Sequence, residues 1–118
     1  MFLERLSQVS SRIEGARALT LVDEDGIAVE SVSSSPDLDL DLLAAELIAQ
    51  LRGIAHDNRE LQVGEVEQFS VTTNRFTFMV SAVAQGYYLV LVLGERGIHG
   101  RARFELRRAR LLFEKDLE

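Results

Sequence analysis

Cysteine is absent from these 118 residues, so disulfides and thiolate metal sites are excluded at the outset. Long apolar runs are absent too; none approaches the roughly 20 residues that a membrane-spanning helix needs. The opening Met1-Phe2-Leu3-Glu4-Arg5 has neither the basic start nor the small-residue cleavage site of a signal peptide. A cytoplasmic protein without membrane insertion is expected. Lysine is nearly missing: Lys115 is the sole one, near the C-terminus. The Gly94…Gly97…Gly100 spacing therefore lacks the Gly-Lys-Ser/Thr ending through which a phosphate loop reaches nucleotide. No Gly-x-Ser-x-Gly elbow is present, and no Cys/His pair for nucleophilic catalysis.

Metal chemistry has little to work with. The two histidines, His56 and His99, lie more than forty residues apart, whereas a zinc site needs three or four convergent ligands. Asp23-Glu24-Asp25-Gly26 has the look of a calcium loop, but Ile27 and Ser34 occupy positions where ligands belong. Asp37, Asp39 and Asp41 are explained by helix capping. The expectation is a chain with no catalytic residues, no metal and no cofactor of its own.

A net charge of −6 argues against general affinity for nucleic acid, which needs a basic surface. The charge is unevenly spread. Residues 1–70 carry 14 acids against 5 arginines, while 71–118 carry 5 acids against 8 bases. Arg101, Arg103, Arg107, Arg108 and Arg110 fall within ten residues. Such a patch could bind RNA or an acidic membrane; the simpler reading is a solvated helix face that offsets the acidic first half.

What is present is ordinary globular material, 47% apolar and 27% charged, in a length that suits one domain over 1–118. Phe2, Leu6, Val9 and Ile13 make a narrow helical stripe that Glu14-Gly15 terminates. Ala16–Val22 and Ile27–Val32 are β-prone, and the Asp-Gly between them marks a hairpin. After the Ser-rich loop 31–36, a helix is expected from about Asp39 to Asn58. Leu40, Leu43, Ala44, Leu47, Leu51, Ile54 and Ala55 share one face of it. Leu42, Ala45, Ile48 and Ala49 fall on the adjoining side, a second apolar surface that one domain does not need. A partner chain is implied.

Three strands follow. Val66–Thr72, interrupted by Glu67, Gln68 and Ser70, suits a sheet edge. Asn74-Arg75 makes a turn into Phe76–Ala82, which alternates as a half-buried strand does. Gln85-Gly86 turns the chain again into Tyr87–Leu93, which has no polar alternation and belongs at the sheet centre. Gly94-Glu95-Arg96-Gly97 leads to a last helix whose core stripe is Ile98, Ala102, Leu106, Ala109, Phe113 and Leu117. Phe104 and Leu111 lie on its opposite side, either singly exposed or part of an interaction surface. The fold expected is α+β: a five-stranded antiparallel sheet, the long helix on one face and the terminal helices on the other.

In that order the motifs resemble a known family. Ala18–Val29, an apolar strand, Asp23-Glu24-Asp25-Gly26 and a second strand, is similar to the opening hairpin of Roadblock / dynein light chain domains. Gly86–Leu93 followed by Gly97-Ile98-His99-Gly100-Arg101-Ala102-Arg103 resembles the family's last strand and final helix, in its bacterial MglB-like branch. The resemblance implies strand order 2-1-5-4-3 and a homodimer with its third strands and long helices side by side. It also implies a Ras-like (MglA-like) small GTPase as partner, whose hydrolysis the dimer modulates by repositioning the GTPase's own residues. A scaffold subunit of a signalling or motility complex, without effect on hydrolysis, is the alternative. A small-molecule sensor, holding its ligand between sheet and helix, is a third possibility. The interface residues expected are Ala45, Ile48, Ala49 and Arg52 on the helix, with Val66, Gln68, Phe69 and Val71 on the strand.

Overall fold

Asp23 closes the first hairpin largely by itself. Its backbone N–H donates to the Ile27 carbonyl at 3.0 Å, and its Oδ1 accepts from the N–H groups of Asp25 (2.9 Å) and Ile27 (3.0 Å). Gly26 completes the turn at φ +82°, a conformation that costs a residue without a Cβ little. The turn joins β1 (Ala16–Val22) to β2 (Ala28–Ser33) as antiparallel neighbours, with a register shift between Leu21 and Val22. Ile27 is a turn residue, not the start of β2, and is 64% exposed.

The computed structural model describes residues 2–84, 86–95 and 97–117. Gln85 and Arg96, which belong to the turns expected before and after the last strand, lie outside the described residues. The remaining elements are α1 (Phe2–Ser11), α2 (Leu40–Glu60), β3 (Gln68–Thr72), β4 (Thr77–Ala82), β5 (Tyr88–Leu93) and α3 (His99–Asp116). All strands are antiparallel, in the order β2-β1-β5-β4-β3, as expected. The unbroken apolar strand β5 is central and is buried from Leu89 to Leu93.

Strand alternation divides the apolar residues between two layers. On one face Leu19, Leu21, Met79, Leu89, Leu91 and Leu93 pack with Leu6, Val9 and Ile13 and with Ala102, Leu106, Ala109 and Phe113 of α3. On the other, Val22, Val80 and Val90 pack with Ala44, Leu47, Ile48 and Leu51 of α2. The long helix thus covers one face and the terminal helices the other.

Four details differ from the sequence reading. Helix α1 stops at Ser11, four residues before Gly15, although Ile13 still reaches the core. In β4 the hydroxyl-bearing side is the better buried: Thr77, Met79 and Ser81 face the α1/α3 layer at 4%, 0% and 4% exposure. Small hydroxyls read as polar in sequence, but Thr77 Oγ1 is satisfied by hydrogen bonds to Thr72 Oγ1 and the His99 ring. Ile98, expected in the core stripe of the last helix, sits at the α3 N-cap and is 56% exposed. Glu105, which has no place in that apolar stripe, is fully buried.

Candidate functional site

The outer surface of α2 and the free edge of β3 form the candidate site, and each is built by identifiable local chemistry. Asp39 caps α2, its carboxylate accepting from the Leu42 N–H at 3.2 Å. Across the sheet the helix is held by two contacts with the first hairpin. A Cβ placed on Gly26 would lie 2.9 Å from the Ala45 Cα and 3.4 Å from the Ile48 Cβ, so backbone meets helix directly there. Arg52 reaches the same turn, its Nε donating to the Glu24 carbonyl at 3.0 Å and a terminal nitrogen to Asp25 Oδ1 at 3.1 Å.

These contacts fix which way α2 faces, and they move two of the expected residues. Ile48 is 1% exposed and packs inside the chain's own core, so it cannot belong to the outer flank. Ile54, expected on the core side, is 37% exposed. Arg52 is an exposed residue already engaged with the hairpin. The outer face of α2 instead presents Leu42 (58% exposed), Ala45, Glu46, Ala49, Gly53 and His56. Ala45 and Ala49 are therefore exposed side by side, as the sequence suggested; Leu42 joins them.

At the sheet end, β3 pairs with β4 from Gln68–Ser81 to Thr72–Thr77 and, among the described residues, has no strand on its other side. Its outer backbone groups are a template for another strand. Val66 lies before β3, not within it. With Phe69, Val71 and Phe78 it is half-buried against the α2 layer, leaving an apolar rim beside the free edge. Gln68 is also half-buried.

What these elements offer is a surface for recognition, exposed apolar side chains beside an open strand edge. Among the described residues no three His, Cys, Asp or Glu side chains converge as metal ligands. No described helix is long and apolar enough to cross a membrane. Between sheet and α2, Val22, Val80 and Val90 pack with Ala44, Leu47, Ile48 and Leu51, and beside them a cleft of about 310 Å³ opens between Glu24, Asp25, Ile48, Leu51, Ala55 and Tyr88. A cleft of about 570 Å³ opens at the end of the sheet between Arg17, Leu38, Arg75, Phe76 and Glu95.

A model of the Roadblock/LC7 domain matches residues 3–93. The chain belongs to the Roadblock/LC7 family. The match ends with β5, so α3 lies beyond it. No curated protein matches the sequence. Among solved structures, a Roadblock/LC7 domain from Streptomyces avermitilis superposes with a TM-score of 0.87 at 18% identity, over 98% of this chain and 96% of that one. The gliding protein MglB of Thermus thermophilus gives 0.83 at 21% identity, over 96% and 88%. MglC from Myxococcus xanthus is 31% identical over 98% of both chains, with a TM-score of 0.71. The Roadblock fold of this chain is thus the same as that of MglB.

Proposed function

We propose that this Roadblock domain is a dimeric regulator that binds a Ras-like small GTPase and modulates its hydrolysis of GTP. The observation that carries the proposal is the outer face of α2. Leu42, Ala45 and Ala49 stand exposed on a helix whose opposite side already fills the core, beside an unpaired β3 edge. Pairing two such edges would extend the sheet across the dimer and bring the two long helices together. Small side chains let helix axes approach closely, which suits a helix–helix contact there.

The GTPase as partner is supported by the MglB-like character of fold and sequence. No phosphate loop stands in the sequence, so nucleotide chemistry belongs to the partner. The regulator acts by holding the GTPase's own residues in place. Its arginine-rich helix α3, on the other side of the sheet from α2, is not assigned as an arginine finger.

The test mixes the purified chain with the MglA-like GTPase of the same organism, loaded in turn with GDP and a non-hydrolysable GTP analogue. Binding that prefers the GTP state, together with a changed hydrolysis rate, is expected. Binding to both states equally, with no change in rate, points to a scaffold. No complex in either state removes the GTPase from the proposal. Light scattering on the chain alone checks the dimer separately.

A further inference from the structure

The exposed side of α3 has an organisation that a solvated charged face does not require. Glu105, the one charged residue buried among the described residues, is 1% exposed. Its carboxylate oxygen pairs with Arg101 at 3.2 Å and Arg108 at 3.4 Å, one turn to either side. Both guanidinium carbons lie 5.8 Å from the centroid of the same aromatic ring, that of Phe104. The ring itself is 52% exposed, and Leu111, seven residues on and 69% exposed, lies along the same line of the helix. Seven residues are two turns, or about 10 Å of axial rise. Exposed Arg103, Arg107 and Lys115 stand nearby, and Arg110 pairs with Glu114 at 3.0 Å one turn beyond Leu111. An acid inside the domain thus holds two arginines over an aromatic group that faces solvent.

We infer that this face of α3 is a docking surface for an acidic amphipathic helix of a partner protein. Charge sets the sign: six cations (Arg101, Arg103, Arg107, Arg108, Arg110 and Lys115) stand around Phe104 and Leu111 against two carboxylates, Glu105 and Glu114, on a chain whose first 70 residues are strongly acidic. The spacing sets the shape, because two apolar anchors one heptad apart match the i, i+7 anchors of a helix laid alongside. The clamp selects a protein over a lipid surface. Phe104 cannot enter the acyl layer without dragging along two guanidinium groups that Glu105 holds in place, and charges there are costly. Against a protein, the same guanidiniums offer their free N–H groups to carboxylates while the ring stays stacked. Arginine and aromatic groups together are what binding hot spots favour. The surface lies on the opposite side of the sheet from α2 and does not rest on the GTPase reading.

The test uses the full chain and a labelled synthetic helical peptide with leucines seven residues apart flanked by glutamates. Its controls are a scrambled peptide of the same composition and vesicles containing phosphatidylserine. Fluorescence anisotropy should give saturable binding, at least tenfold tighter for the patterned peptide than for the scrambled one. Phe104→Ala and Arg107→Glu, both at exposed positions that leave the core intact, should each weaken it about tenfold. Equal binding of the two peptides would reduce the surface to a counterion attractor and overturn the inference. So would an absence of peptide binding up to millimolar concentration, affinity unchanged by Phe104→Ala, or vesicle binding that depends on Phe104.

Discussion

Helices α2 and α3 lie on opposite faces of one sheet, and each buries one side against it. What they leave outside differs. On α2 the outer face is built mainly of small and acidic residues, Ala45, Ala49 and Gly53 with Glu46, Asp57 and Glu60, joined by His56 and by Leu42, a large apolar group near the start. On α3 they are long and cationic around Phe104 and Leu111. Burying alanine costs no side-chain entropy, whereas arginine loses up to about 2 kcal/mol of rotamer freedom. An alanine surface is thus cheap to bury against a second helix backbone. An arginine surface becomes cheap only if the side chains are held beforehand, and Glu105 does that for two of them. The comparison separates two ways of readying a helix for a partner.

The sharpest way to break the α2 side is through its seat on the hairpin. Gly26→Ala puts a Cβ 2.9 Å from the Ala45 Cα, in a backbone conformation with φ +82° that alanine resists. Left-handed strain of roughly 1–2 kcal/mol and overpacking of roughly 1–3 kcal/mol should together lower stability by about 2–5 kcal/mol in urea denaturation. Gly64→Ala is the control, since Gly64 also has positive φ but nothing within 4 Å of the added atom. It should show the strain alone. Equal losses for the two variants would mean that the hairpin does not seat the helix.

Next in size is Ala49→Arg. The position is exposed, so the stability of the single chain should change by no more than about 0.5 kcal/mol. If two α2 helices meet there, the dimer should weaken by at least about 2 kcal/mol, or about 30-fold in dissociation constant. Concentration-dependent light scattering reads this directly, and an unchanged dimer would assign the self-contact elsewhere. On the α3 side, Glu105→Gln removes the charge that two arginines share. A buried charge-assisted contact of this kind is worth roughly 1.5–3 kcal/mol, and the loss should stay at the low end because both arginines are half-exposed.

Fold and site were not equally legible in the sequence. The strands announced themselves through alternation and the Asp25-Gly26 turn, and β5 through its lack of alternation, because these signals arise from local geometry. Helix α2 did not announce its orientation. It is apolar over so much of its circumference that Ile48 could be inside or outside. What decides is the contact of Gly26 with Ala45 and Ile48, made by residues about twenty positions away in the chain. Glu105 was equally hidden: an acid among arginines reads as solvated, and only the folded helix brings Arg101 and Arg108 over it. The candidate interface was legible in kind, since the excess apolar surface was visible, but not residue by residue.

The smallest effects compare the ionic ties on the two sides. Arg52 ties α2 to the hairpin through Asp25, with both side chains largely in solvent, 55% and 71% exposed. Arg5 ties α1 to α3 through Asp116 at 2.9 Å, with exposures of 30% and 11%, beside the stacked rings of Phe2 and Phe113. The Asp116 hydrogen bond also raises the Arg5 pKa above its ordinary value. Water and salt screen an exposed pair more than a half-buried one. Arg5→Ala should therefore cost about 1 kcal/mol and Arg52→Ala about 0.5 kcal/mol or less. Urea midpoints measured at low and high salt distinguish the two: the Arg52 effect should fade with salt and the Arg5 effect persist. A loss well above 2 kcal/mol for Arg5→Ala would mean that the ion pair, and not the Phe2–Phe113 contact, holds the terminal helices together.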